Sequence, residues 1–160
     1  MLSHLSQLTN EEKDLLIIAP NLVAALIAGA DGEFSDDEIK KAAELIHIKT
    51  FSEKHEDLRE IYQILDHDNA KEVLVDLMVS LPKDAKERNA YLTEMLKGLN
   101  AIFPKLRYEF TSKYYKSIRQ IAHLIANVDG GFWGMGHIHY KEEELVDLPM
   151  IHKPEKQQEA

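Results

Sequence analysis

Residues 23–39, VAALIAGADGEFSDDEI, run from an apolar helix through an Asp-Gly pair into the start of a second helix. Val23 to Ala30 carry no polar side chain, the signature of a helix that is buried on all sides and therefore central. Gly32 suits the left-handed backbone that ends a helix. Ser35 with Glu38 forms a capping-box pattern, and Asp36 and Asp37 lie where the helix dipole favours negative charge. A shift of 98 residues sets VAALIAGADGEF (23–34) against IAHLIANVDGGF (121–132), with seven of twelve positions identical, Asp31/Asp129, Gly32/Gly130 and Phe34/Phe132 among them. Residues 133–140 then intervene, after which KEEEL (141–145) matches SDDEI (35–39) acid for acid. The unit is an apolar helix, Asp-Gly, Phe, and a helix opening on acids, and it occurs twice.

Outward from this unit the apolar spacing is helical, and no segment alternates as a strand does. Thr9 or Asn10 caps a short helix to about Ala19, and Pro20 opens the central one. The helix begun at Ser35 is expected to end near His47. Ser52 caps the next, with Leu58, Ile61, Tyr62 and Leu65 on its apolar face, and Asp68 caps another bearing Val73, Leu74, Leu77 and Met78. Asp84 starts a helix through Tyr91, Leu92, Met95, Leu96 and Leu99. Pro104 opens a long one over roughly 105–128, and a short helix after the glycine-rich loop stops at Pro149. The expectation is an all-α fold, a compact single-domain bundle of about seven helices with two related helix–loop–helix halves. It occupies residues 1–151, with a polar, frayed tail over 152–160.

Composition narrows the function classes. The chain of 160 residues, 44% hydrophobic and 29% charged, suits one globular domain. No apolar run approaches the roughly 20 residues that cross a bilayer, and the N-terminus lacks a signal-peptide pattern. Insertion in a membrane is not expected, and a cytoplasmic setting is. Zero cysteines remove disulfides, thiolate metal sites and a cysteine nucleophile. A net charge of −9 disfavours nucleic acid and suits cations or basic partners.

Two readings of the first loop stay open. Helix capping accounts for Gly32, Ser35, Asp36, Asp37 and Glu38 and leaves Asp31 and Glu33 unexplained. Alternatively, Asp-Gly-x-Phe-Ser-x-x-Glu matches the second half of a calcium-binding EF-hand loop. The first half fails, because Ile27 and Gly29 stand where two oxygen ligands belong, so a complete EF-hand is excluded. A looser site sharing oxygens with another loop is still open, since Ca²⁺ or Mg²⁺ takes about six oxygens from any source.

AGADGEFSDDEI after an apolar helix, echoed by ANVDGGF, resembles the TerB-like family of tellurite-resistance proteins, which are bacterial all-helical domains with related halves and acidic Asp-Gly loops. The resemblance spans most of the chain as pattern and about ten residues as motif. It implies a non-enzymatic, divalent-cation-binding module for calcium or magnesium, acting in tellurite or chemical-stress response near a membrane-bound protein of the same resistance system. By motif match, Asp31, Glu33 and Glu38 inherit the metal role in the first half. Asp129 inherits it in the second, and the insertion leaves Glu142, Glu143 and Glu144 as counterparts of Glu38, of which Glu142 and Glu144 are taken with Asp129. The alternative is a non-catalytic protein-interaction domain whose acidic loops only cap helices.

The insertion region GGFWGMGHIHY (130–140) holds four of seven glycines, the single tryptophan and a His-x-His pair. No strand precedes it and no Gly-Lys-Ser/Thr follows, which argues against a phosphate loop. His137 and His139 could ligate zinc, copper or nickel with Asp129; the simpler reading has Trp133, Met135 and Ile138 tuck the loop onto the bundle. Glu44-x-x-His47 has di-iron spacing, yet no second copy exists, so His47 is read as a helix C-terminal residue favoured by the dipole. Residues 105–119, KLRYEFTSKYYKSIR, mix five basic side chains with Tyr108, Phe110, Tyr114 and Tyr115. Such a stripe either docks a partner or an anionic surface, or is a core face edged by solvated cations.

Overall fold

Helix α1 runs from Asn10 to Ala28, and its start is fixed by a reciprocal cap. Thr9 Oγ1 accepts from the Glu12 amide at 3.1 Å while Glu12 Oε1 accepts from the Thr9 amide at 3.0 Å. The structure, a computed structural model, describes residues 5–30, 36–66, 70–127 and 145–156. The sequence-based division of this segment into two helices at Pro20 is incorrect, since one helix carries Pro20 in its interior. A proline there has no N–H for the carbonyl four residues earlier, that of Leu16. The hydroxyl of the fully buried Tyr114 donates to Leu16 O at 2.7 Å and takes the place of the missing amide. A tertiary hydrogen bond thus keeps the helix whole. From Ala19 to Ala28 every residue of α1 is buried, as its apolar composition requires.

Around α1 lie α2 (Asp36–Ser52), α3 (Glu56–Leu65), α4 (Ala70–Ser80), α5 (Ala85–Lys97), the single turn α6 (Leu99–Ile102) and α7 (Tyr108–Ala126). Every regular element among the described residues is helical. Six have ten residues or more, where about seven helices were expected. The union at Pro20 makes one helix of two expected ones, and the helix expected from Asp84 through Leu99 ends at Lys97, with Leu99 in the single turn α6. Helix α2 continues past His47 to Ser52, so Ser52 ends a helix instead of capping the next; α3 begins after His55. Asp84 caps α5 as expected, accepting from the Glu87 amide at 3.0 Å. The long helix starts at Tyr108, after a 3₁₀ turn over Phe103–Lys105 that includes Pro104. Val73 and Tyr91, expected on apolar faces, are 40% and 51% exposed.

Helices α1 and α7 pack side by side in the same direction. Lys105 Nζ, just before α7, meets Glu12 Oε2 at 2.9 Å in the first turn of α1, and Tyr114 meets Leu16 one to two turns on. Their bounds differ by the 98-residue shift of the sequence repeat. Their C-caps are alike, Gly29 at φ −99°, ψ 5° and Asn127 at φ −86°, ψ 1°. The two helices therefore end on the same side of the bundle. Phe110, Tyr114, Ile118, Ile121, Ala122 and Ile125 give α7 its buried stripe at helical spacing.

The chain after the second acidic segment returns to the core through Val146, Leu148, Met150 and Ile151, all buried. Leu148 sits at φ 52°, a conformation that costs a non-glycine residue roughly 1–3 kcal/mol. Complete burial of its side chain offsets that strain by about 1.5–3 kcal/mol. Asp147 fastens the segment to α7, accepting from Arg119 and meeting His123 Nε2, both at 2.9 Å.

Candidate functional site

Of the six carboxylates expected to hold a cation, Glu38 is the one within the described residues. Asp31, Glu33, Asp129, Glu142 and Glu144 lie outside them, as do Glu143, Trp133, His137, His139, Phe34 and Phe132. Glu38 occupies the first turn of α2 beside Asp36 and Asp37. It is buried at 5% exposure, whereas its two acidic neighbours are exposed. Burial separates it from an ordinary capping acid, because a carboxylate leaves water only where other groups receive it.

Across from the end of α1 the structure supplies a cation that the sequence reading missed. Arg88, in the first turn of α5, is buried at 3% exposure. Its guanidinium donates to Gly29 O at 2.6 Å and to Lys83 O at 3.2 Å. Gly29 is the C-cap of α1, so the charge sits on the negative end of that helix, two residues before Asp31. Arg88 lies one helical turn before Leu92 and two before Leu96, both fully buried. An arginine on the apolar stripe of a helix was the available signal.

A second polar cluster joins α2, α3 and α7. Lys49, 4% exposed, donates to Glu53 Oε1 at 2.9 Å and to Gln120 Oε1 at 2.7 Å. Ser117 Oγ donates to the same Glu53 oxygen at 2.7 Å. With its proton so used, Ser117 accepts from the Tyr62 hydroxyl at 2.6 Å. Burial pushes the Tyr62 hydroxyl far above the ordinary tyrosine range, Ser117 pulls against that shift, and the Glu53 charge adds to it. The phenol stays protonated and the cluster acts as a clasp between helices. Ser117 was legible only as a polar residue within the α7 stripe.

Other expected roles change. His47 is not at a helix C-terminus, since α2 continues beyond it; its Nδ1 meets Asp66 Oδ2 at 2.9 Å. Among the described residues no group of three or more His, Asp and Glu side chains is placed to hold a metal ion. In the 105–119 stripe, Phe110 and Tyr114 are core. Lys105, Lys113 and Arg119 pair with Glu12, Glu109 and Asp147. The core-face reading fits Phe110 and Tyr114, whereas Tyr108 is 39% exposed. No helix among the described residues is long and apolar enough to cross a membrane. No family model matches the chain, and neither a curated protein nor a solved structure shows significant similarity to it.

Proposed function

We propose that the chain is a divalent-cation-binding helical module of the TerB-like kind, with the cation held by the acidic Asp-Gly loops. Asp31, Glu33 and Glu38 serve in the first loop, and Asp129 with Glu142 and Glu144 in the second. The burial of Glu38 carries this reading. Its carboxylate is held out of water in the first turn of α2, directly after the Asp31 and Glu33 segment in sequence, and an all-carboxylate donor set selects hard cations such as calcium or magnesium. The repeat supports it, because α1 and α7 end alike on one side of the bundle, three residues before Asp31 and Asp129. In this reading the two halves are related helix–loop–helix units. The module works without catalysis in a bacterial tellurite or chemical-stress response, in the cytoplasm, beside a membrane-bound partner.

A second reading is favoured by Arg88. A buried guanidinium next to the loop already supplies positive charge, and the acids then need no metal. The chain is in that case a protein-interaction domain with capped helices.

Thermal unfolding with and without millimolar Ca²⁺ or Mg²⁺ separates the two. A bound ion at a hundred times its Kd stabilises the fold by about 2.7 kcal/mol. Asp31→Asn with Glu38→Gln is expected to abolish that rise. A Tm that ignores Ca²⁺, Mg²⁺, Mn²⁺ and Zn²⁺ in the unmutated protein refutes the cation reading.

A further inference from the structure

A cleft of about 710 Å³ opens at the start of α7, at the junction of the 3₁₀ turn with the chain over 152–156. That volume is within the range of roughly 300–1,000 Å³ typical of small-molecule sites. Its lining has an apolar part, including Phe103 and Tyr108, and a charged part, Arg107, Lys153 and Lys156. Glu155 is the one acid in the lining, so three cations face one carboxylate in a protein of net charge −9.

Those three cations have no acidic partner among the described residues, unlike Lys49, Lys97, Lys105, Lys113 and Arg119. An excess of positive charge in a cleft lining attracts an anionic ligand. The first turn of α7 adds to the field. Arg107 is its N-cap, no side chain caps the turn, and the positive end of a 19-residue helix lies at the cleft.

The far wall is fixed in place. Asn100 donates to Met150 O at 2.9 Å and accepts from the His152 amide at 2.8 Å, which anchors the chain where a frayed tail was expected to begin. The two bonds hold the chain at Met150 and His152, directly before Lys153, and so reduce the cost of ordering this wall when a ligand binds.

We infer that this cleft binds a small organic phosphate, its phosphate between Arg107, Lys153 and Lys156 and its body against Phe103 and Tyr108. A phosphate monoester carries nearly two negative charges at neutral pH, which suits three cations better than a single carboxylate does.

Isothermal titration of the full chain with adenosine 5′-monophosphate, glucose 6-phosphate and inorganic phosphate tests this, with adenosine as the uncharged control. One-to-one binding of at least one phosphomonoester is expected, tighter than that of inorganic phosphate and absent for adenosine. The Arg107→Ala, Lys153→Ala, Lys156→Ala triple variant should bind at least about tenfold more weakly, equivalent to about 1.4 kcal/mol. All three side chains are exposed, so its Tm should be unchanged. Asn100→Ala, which frees the wall and leaves the cations in place, should also weaken binding. Absence of heat with all three phosphates overturns the inference. So does affinity that survives the triple variant, or binding to phosphatidylcholine–phosphatidylserine vesicles in place of the soluble esters.

Discussion

Replacing Tyr114 with Phe removes one oxygen from a fully buried ring and leaves its shape intact, so no cavity forms. What is lost is the bond to Leu16 O, whose usual helical donor is missing at Pro20. A buried carbonyl left unpartnered costs about 1–3 kcal/mol. At this chain length each kcal/mol corresponds to about 2–4 °C in Tm. Urea unfolding of Tyr114→Phe should therefore show a lower midpoint with an unchanged slope. The decisive control is the same change made in Pro20→Ala. That substitution restores an N–H that can bond Leu16 O, and the Tyr114 hydroxyl then becomes a second partner for the carbonyl. In that background Tyr114→Phe should cost only about 0.5 kcal/mol, near the low end for one ordinary hydrogen bond. The cycle should report a coupling between residues 20 and 114 of at least about 0.5 kcal/mol. Equal losses in the two backgrounds would disprove the repair of α1 by Tyr114, as would a Tyr114→Phe protein as stable as its parent.

Two further outcomes follow from the polar contacts. Ser117→Ala leaves the Tyr62 hydroxyl buried without its acceptor and takes one donor from Glu53; a loss of about 1–3 kcal/mol is expected by denaturant titration, and a neutral result would show that the clasp contributes nothing. Hydrogen bonds from Arg119 and His123, with their charges, hold the Asp147 carboxyl below its ordinary value of 3.8. A carboxyl depressed on folding stabilises above its unfolded value, and the contribution fades as pH falls through the lower folded value. The Tm difference between the parent and Asp147→Asn should therefore be full at neutral pH and shrink below about pH 4. A difference that stays constant to pH 2 would rule out this tether.

How far the sequence reached differs from element to element. Asp84 was legible as a cap because its partner is three residues away, and the long helix from about 105 to 128 because its apolar spacing is helical. These are local properties, fixed by neighbours within one or two turns. The same locality explains the error at Pro20. Judged by its neighbours a proline at that position breaks a helix, and the group that repairs the break, Tyr114, is 94 residues away in sequence. Arg88 and Ser117 were passed over for a related reason. A polar residue on an apolar stripe is a local inconsistency, and only the fold brings Gly29 O to Arg88 and Glu53 to Ser117. In the candidate site, the recurrence of Asp-Gly and acids at a spacing of 98 residues is written in the chain itself. That α1 and α7 run side by side and end together came from packing, as did the withdrawal of Glu38 from water while Asp36 and Asp37 stay in it. Composition sets how much charge a loop carries. Burial depends on which helix packs over it, and that is settled by contacts far apart along the chain.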